Sequence, residues 1–375
     1  MIPFIDLNAQ QNLIRPQIDA AIKRVLDHGN YIMGPEVDEL EKELAHFCGA
    51  KHAITCSSGT DALVLALMAK DVRPGDAVFL PSFTFAATAE AVAFLGATPI
   101  FLDSCTDTYN LDPKSLEQAI ENAKKTDLNL VGIIAVDLFG LPADYDSIQA
   151  IADEHRLWIL ADAAQSFGAM HHGKKVGTLA EITTTSFFPA KPLGCYGDGG
   201  AILTDNDELA EIIKSLRVHG KGADKYDNVR IGLNARLDTF HAAILLEKLK
   251  IFPDELKARQ QTAKKYNEAL KHVVNAPVIS DSVTSAWAQY TITLPQDIDR
   301  DDLQSKLKEA GIPSVVYYVK PLHLQTAYKD YPTATGAILP VCEVLSGTVL
   351  SLPMSGYVKD TYMQAVIAGV LEALK

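Results

Sequence analysis

The chain has 375 residues, 48% of them hydrophobic and 22% charged, which suits one large globular domain and a smaller one. Its formal net charge of -13 disfavours nucleic acid or an anionic membrane as a partner, because such surfaces require clustered Lys and Arg. The N-terminus lacks a basic segment followed by an apolar one, and no apolar run reaches the length of a membrane span, so we predict a cytoplasmic protein. The five cysteines are scattered, which excludes a disulfide framework and a zinc knuckle.

Short apolar runs alternate with segments of helical period through the first half of the chain. The runs that we interpret as strands include "HAITCSS", "AVFLPSF", "TPIFLDS", "LVGIIAVDLFG", "LWILADAAQ" and "ITTTSFF". These runs are continuously apolar rather than alternating, as expected of strands that crossover helices bury on both faces. The pattern predicts the α/β class with a large, mainly parallel sheet.

The pattern changes beyond about residue 240, where a long charged helical stretch is followed by "AQYTITL" and "DRDDLQSKLKEAGIPSVVYY". We interpret this part as a second, smaller α+β domain. The predicted division places residues 1–250 in the large domain and residues 251–375 in the small one.

Ligands of open parallel sheets bind beyond the carboxyl ends of the strands, so the residues that close each strand are the candidates for chemistry. After "HAIT", the segment Ser58–Gly59–Thr60 opens a helix whose free N–H groups would bind one phosphate group. A simple helix cap is the alternative interpretation. The next strand ends near Phe85, which either belongs to the core or provides a face on which a flat heteroaromatic ring could stack.

Two charged residues stand at the ends of later strands. Asp162 closes "LWILAD", where a carboxylate is costly to bury unless it pairs with a cation such as a protonated pyridine nitrogen; capping of the following turn is the alternative. Lys191 follows "TTTSFF" and precedes Pro192, which disfavours a helical backbone at the lysine. Burial there would lower the lysine pKa and provide the reactive amine that covalent binding of a cofactor aldehyde requires. A solvated loop lysine is the alternative.

Five segments then occur in the order, and near the spacing, of a known family. They are "SSGTDAL", "PSFTFAATAEAV", "ADAAQSFGA", "SFFPAKPLGCYGDGGA" and "GLNARLDTFHAAIL". The chain resembles the DegT/DnrJ/EryC1/StrS family of pyridoxal-phosphate-dependent sugar aminotransferases over nearly its whole length. The resemblance implies the fold type I aminotransferase architecture, pyridoxal 5'-phosphate as cofactor, and a homodimer with shared active sites.

The resemblance also implies roles for individual residues. Lys191 corresponds to the lysine that binds the cofactor covalently, and Asp162 to the partner of the pyridine nitrogen. Gln165 would lie near the ring hydroxyl, and Phe85 would stack on the ring. The residues expected to hold the phosphate are Gly59, Thr60 and Ser186, together with Asn234 from the other subunit.

Candidate substrate contacts are Arg236, Tyr318 and His323. Arg236 would pair with a carboxylate of the amino donor or of the sugar, or else form an interface salt bridge. Tyr317 and Val319 depart from the family's usual sequence here, which has His and Pro at these positions, so they bear on substrate contacts.

No metal is predicted. His171 and His172 are adjacent in sequence, and because adjacent side chains diverge we expect them not to form a metal-binding pair.

The predicted reaction is ping-pong transamination, by resemblance from glutamate to a nucleotide-linked keto sugar. The sequence around Lys191, "SFFPAKPLGCYGDGGA", most resembles that of enzymes that aminate C3 of UDP-2-acetamido-2-deoxy-3-keto-glucuronic acid in lipopolysaccharide and O-antigen sugar synthesis. An aminotransferase acting on a nucleotide 3- or 4-keto-6-deoxysugar is the alternative. A protein that keeps the fold only as a sensor or interaction partner is the non-enzymatic alternative.

Overall fold

The computed structural model describes residues 2–224 and 226–375. Its helices in chain order are α1 (Leu7–Leu13), α2 (Arg15–His28), α3 (Pro35–Cys48), α4 (Gly59–Ala69), α5 (Ala87–Phe94), α6 (Pro113–Ala123), α7 (Tyr145–His155), α8 (Asp207–Leu216), α9 (Thr239–Leu270), α10 (Arg300–Glu309), α11 (Pro340–Thr348) and α12 (Asp360–Ala373). Its strands are β1 (His52–Cys56), β2 (Asp76–Pro81), β3 (Thr98–Leu102), β4 (Asn129–Val136), β5 (Trp158–Asp162), β6 (Met170–His171), β7 (Lys174–Lys175), β8 (Ile182–Ser186), β9 (Gly200–Thr204), β10 (Val283–Thr284), β11 (Tyr290–Thr293) and β12 (Val349–Leu352).

A large, mainly parallel sheet organises the first two thirds of the chain, as the apolar runs predict. In the described residues its strand order is β1-β9-β8-β5-β4-β2-β3. The pairs from β3 to β8 are parallel, and β9 alone runs against its neighbours β1 and β8. Strands β2, β8 and β9 are buried along their whole length because helices cover both faces of the sheet.

Local sequence signals explain where several helices begin and end. Helix α4 begins after Ser58, whose Oγ accepts a hydrogen bond from the Asp61 N–H at 3.0 Å. Helix α3 has Pro35 at its first position and ends at Gly49, whose φ of 77° lies in the left-handed region. The N-terminus of α4, which forms the predicted phosphate site, is therefore fixed by its own cap residue.

The C-terminal part has its own core and also contributes to the core of the large sheet. Strands β11 and β12 pair antiparallel, and α10 and α12 pack beside them with the second half of α9. Leu339, Cys342 and Leu345, around and in α11, instead pack in the core of the large sheet. The predicted domain boundary at residue 250 falls inside the unbroken helix α9, and the division into two domains stays a prediction.

The five cysteines are unpaired in the structure, and four of them are buried. Among the described residues, none of the helices is both long enough and apolar enough to cross a membrane.

Candidate active site

The predicted site residues lie where strands end at one edge of the large sheet. Strands β5 and β8 are parallel neighbours and end at Asp162 and Ser186. Strand β1 runs the same way as β8, because β9 between them is antiparallel to both, and β1 leads into α4 at Gly59. The topology thus brings together segments that are more than a hundred residues apart in sequence.

Asp162 is buried, with 6% of its surface exposed. Its Oδ2 accepts a hydrogen bond from the Thr88 hydroxyl at 2.8 Å, and its Oδ1 accepts one from the Ala164 N–H at 3.3 Å. Burial raises the pKa of this carboxyl, although both hydrogen bonds and the positive charge of Lys191 act in the opposite direction. A cationic partner bound against Asp162 would therefore stabilise its ionised form.

Lys191 lies in the turn after β8, where its backbone N–H donates to the Phe188 carbonyl at 2.9 Å. Burial lowers the pKa of its amine, and the nearby charge of Asp162 partly offsets this shift. Lys191 and Asp162 are therefore close enough for the charge of each to shift the pKa of the other. A depressed pKa increases the fraction of neutral amine, which is the nucleophilic form.

The N-terminus of α4 forms a cradle of glycines against β8 and β9. A Cβ added at Gly59 would lie 2.7 Å from the Ser186 Cβ, and one added at Gly200 would lie 2.4 Å from the Ser58 carbonyl oxygen. The first N–H groups of a helix have no partner within the helix, and they carry the positive end of its dipole. The Ser186 Oγ accepts from the Phe188 N–H at 3.2 Å, which leaves its own hydrogen free to donate to an anion. These groups suit a phosphate.

Aromatic and amide groups border the same region. Gln165 is buried; its Oε1 accepts from the Phe139 N–H at 2.7 Å and its Nε2 donates to the Tyr318 hydroxyl at 3.3 Å. Burial raises the pKa of Tyr318, so this phenol is neutral at physiological pH. Phe85 is 57% exposed, and its ring lies 6.5 Å from that of Tyr318, centroid to centroid. A residue assigned to the cofactor and one assigned to the substrate thus contact each other directly.

In the part of the chain that the structure describes, no side-chain hydrogen bond or ion pair joins Asn234 or Arg236 to the residues above. Asn234 is exposed and forms an isolated antiparallel bridge with Val218. Arg236 is half-buried, and its buried Nε has no hydrogen-bond partner in residues 2–224 and 226–375. An exposed amide and an unpaired guanidinium group are compatible with roles toward a second subunit or an anionic ligand, and both roles stay predictions.

His323 is buried, and both nitrogens of its ring have partners. Nδ1 lies 2.7 Å from the Ser82 Oγ, and Nε2 lies 3.3 Å from the Glu343 Oε1. These contacts attach the segment around His323 to the end of β2 and to α11. The predicted substrate contact through His323 therefore requires the ring to exchange one of these partners.

Thr88 is a functional candidate that sequence reasoning missed. It lies one turn after Phe85 in "FAATAEAV", is buried, and makes the shortest recorded hydrogen bond to Asp162. A lone hydroxyl in an alanine-rich helix is the available signal. The sequence alone does not show that the Thr88 hydroxyl donates to Asp162, because the two residues are 74 positions apart.

The fold, the buried Lys191 and Asp162 and a glycine cradle that suits a phosphate are together typical of pyridoxal-phosphate enzymes with a large parallel sheet. The sequence profile of the DegT/DnrJ/EryC1/StrS aminotransferase family matches residues 12–371, and the chain belongs to this family. It is a sugar aminotransferase that uses pyridoxal phosphate, so the predicted family, fold class, enzyme class and cofactor are confirmed.

Three relatives place the chain within the family. It is 48% identical over 371 residues to the UDP-2-acetamido-2-deoxy-3-oxo-D-glucuronate aminotransferase of Pseudomonas aeruginosa, covering 99% of each chain. A crystal structure of a family aminotransferase from Brucella abortus is similar, with a TM-score of 0.97, 51% identity and 99% coverage of each chain. The structure of NtdA from Bacillus subtilis with bound cofactor PMP, the aminated form of pyridoxal phosphate, has a TM-score of 0.91 and 31% identity, with 100% of this chain and 85% of that chain covered.

The observed groups fit pyridoxal phosphate. The amine of Lys191 suits the aldehyde, the carboxylate of Asp162 suits the pyridine nitrogen, and the cradle at Gly59 and Ser186 suits the phosphate. The individual roles of these residues stay predictions.

Proposed function

We propose that this enzyme transfers an amino group from glutamate to C3 of UDP-2-acetamido-2-deoxy-3-keto-glucuronic acid, as a step in the synthesis of a lipopolysaccharide or O-antigen sugar. The observation that carries the proposal is the 48% identity, over 99% of both chains, to the Pseudomonas aminotransferase named for this substrate. The glycine-rich cradle and the buried Lys191 and Asp162, each of which shifts the pKa of the other, support the transamination chemistry.

Bound pyridoxal phosphate would supply an electron sink beside the carbon that carries the amino group. Asp162 would keep the pyridine nitrogen protonated, and its burial strengthens its attraction for that proton. The Lys191 amine, whose pKa burial lowers, would accept the proton from the substrate carbon and return it later.

Gln165 and Phe85 would orient the ring, and Gly59, Thr60 and Ser186 would hold the phosphate. Arg236 would bind a carboxylate of glutamate or of the sugar, and Tyr318 and His323 would contact the sugar nucleotide.

We further propose that the enzyme is a homodimer in which Asn234 serves the cofactor of the neighbouring subunit. The exposure of Asn234 supports this proposal. Large apolar side chains are also exposed near Lys191 and near Asn234, namely Phe188, Val229 and Ile231, as expected of a surface that a second subunit covers. The cytoplasmic location inferred from the N-terminal sequence stays a prediction.

The substrate is tested by incubating the cofactor-loaded enzyme with glutamate and a panel of nucleotide keto sugars, and by locating the new amine by NMR. We expect the 3-keto-glucuronic acid nucleotide to react at C3 with the highest kcat/KM. The panel includes nucleotide 3- and 4-keto-6-deoxysugars, and preferential amination of one of these would replace the proposed substrate by the alternative.

The role of Lys191 is tested separately by borohydride reduction of the yellow holoenzyme. The colour should bleach and mass should be added to the peptide containing Lys191, whereas Lys191→Ala should show neither change. Mass added to a different lysine would show that the wrong residue has been assigned.

A further inference from the structure

Strands β6 and β7 form a hairpin that brings two histidine rings together. Its two-residue turn is His172–Gly173, with φ values of 49° and 77°, as the hairpin turn with two left-handed residues requires. The left-handed backbone at His172 ends the alternation of side chains along β6. The ring centroids of His171 and His172 are consequently only 4.4 Å apart, so the expectation that these adjacent side chains diverge is wrong.

A third side chain joins them from a different element. Asp146 lies in the first turn of α7, and its Oδ2 is 3.3 Å from the His172 Nε2. One ligand atom from each of Asp146, His171 and His172 lies within 4.8 Å of the other two. Strand β10 fixes the hairpin from its other side, because His171 pairs with Val283 and the His172 N–H donates to the Ser282 carbonyl at 2.9 Å.

We propose that Asp146, His171 and His172 bind one divalent transition-metal ion of the Zn²⁺ type. This site is separate from the residues assigned to the cofactor and the sugar substrate. It does not depend on the proposed substrate.

The ligand chemistry favours zinc over the hard cations. Two imidazole nitrogens and one carboxylate oxygen suit Zn²⁺, whereas Mg²⁺ and Ca²⁺ prefer sites built from oxygen alone. Two ligand atoms of a tetrahedral zinc ion, each bonded at about 2.0–2.1 Å, are about 3.3 Å apart. The atoms of His172 and Asp146 already have this separation. His171 is only 7% exposed, while the side chains of His172 and Asp146 are 54% and 75% exposed, so the fourth position would face water.

The position of the site indicates a stabilising role. The ring of Tyr145, the neighbour of Asp146, packs edge-on against the His171 ring at 6.2 Å. The Tyr145 hydroxyl donates to the Asp137 Oδ1 at 2.8 Å, and the Asp137 N–H donates to the Asp162 carbonyl at 3.1 Å. A bound ion would therefore tie α7 to a hairpin that follows directly on the loop after Asp162, which carries Gln165.

Zinc binding is tested by titrating ZnCl₂ into the cofactor-loaded full chain, prepared without a histidine tag, in competition with a chromophoric chelator. We expect one equivalent per chain and a higher melting temperature at saturating zinc, because the ion binds only the folded state. His172→Asn keeps a residue that tolerates the left-handed turn, and Asp146→Asn keeps the size of the side chain; each should weaken binding by about 10-fold or more. His272→Ala, which removes an exposed histidine elsewhere, should bind like the wild type.

The geometry is tested with Co²⁺ in place of Zn²⁺. The wild type and His272→Ala should show the visible absorption of a four-coordinate cobalt site, and His172→Asn should lose it. The proposal is overturned if the wild type binds no zinc in competition with the chelator, if both exchanges leave the affinity unchanged, or if Mg²⁺ at equal concentration displaces the zinc.

Discussion

Asp162 combines burial with a charge that a cofactor cation would compensate. Asp162→Asn keeps the shape and both hydrogen-bonding neighbours but removes the charge that would hold the pyridine proton. We expect the covalent bond to Lys191 still to form, while the half-reaction rate with glutamate falls by orders of magnitude. Stopped-flow measurement of the cofactor absorbance separates the two effects. A near-normal rate in Asp162→Asn would show that another carboxylate has this role.

Thr88 supports Asp162 through one hydrogen bond at 2.8 Å. Thr88→Val removes the donor at nearly constant volume, whereas Thr88→Ser keeps it. Because a hydrogen bond to a charged group contributes about 1.5–3 kcal/mol, we expect the half-reaction in Thr88→Val to slow by about 10- to 100-fold. Thr88→Ser should stay close to the wild type. Equal rates in the two variants would mean that the hydroxyl does not act through Asp162.

At the scale of single elements, Asp137 links the end of β4 to the site. It is fully buried and accepts hydrogen bonds from the Ala143 N–H at 2.9 Å, the Tyr145 hydroxyl at 2.8 Å and the Ser166 hydroxyl at 2.6 Å. Ser166 follows Gln165, so this carboxyl positions the loop between β5 and β6. Burial raises its pKa to about 7 from an ordinary 3.8.

This pKa shift predicts how stability depends on pH. Between about pH 4 and pH 7 the folded chain holds a proton on Asp137 that the unfolded chain has lost, so the free energy of unfolding falls as pH rises. One such group contributes at most about 1.4 kcal/mol per pH unit. Asp137→Asn should lack this contribution, so urea unfolding from pH 5 to pH 7 should give a shallower decline than in the wild type. Parallel pH profiles of the two proteins would contradict the raised pKa.

The proposed homodimer with shared active sites can be tested only by combining two different mutant subunits. Lys191→Ala and Asn234→Asp should each inactivate a homodimer, the second by placing a negative charge against the phosphate. If Asn234 serves the neighbouring subunit, a mixed dimer contains one doubly defective site and one intact site. An isolated heterodimer should then regain about half of the wild-type rate at limiting cofactor. Absence of activity in a verified heterodimer would contradict the shared site.

The sequence predicts most of the large sheet because its strands are buried on both faces and are therefore continuously apolar. Lys191 and Asp162 are predictable for a related reason, since a charge at the end of such a strand or in the turn after it needs a chemical explanation. The contacts among Thr88, Tyr318, Gln165 and Asp162 are not predictable, because they join segments far apart in sequence. The convergence of His171 and His172 depends on one left-handed residue in a turn, which the local sequence does not specify uniquely.

Helix α9 limits how members of this family can exchange segments. Its first half packs with α2 and α3, and its second half, through Ala263, Tyr266 and Leu270, belongs to the C-terminal core. The N-terminus contacts that core too, since the Met354 N–H donates to the Phe4 carbonyl at 3.1 Å. A chimera that takes its C-terminal part from a relative with a different sugar preference should therefore fold only when the second half of α9 and the first residues are exchanged with it. A junction after Leu270 would separate Ala263, Tyr266 and Leu270 from the core to which they belong. A junction after Leu270 should give insoluble protein, whereas a junction at residue 250 with the first residues exchanged should give soluble protein. Expression of the two chimeras side by side measures the difference.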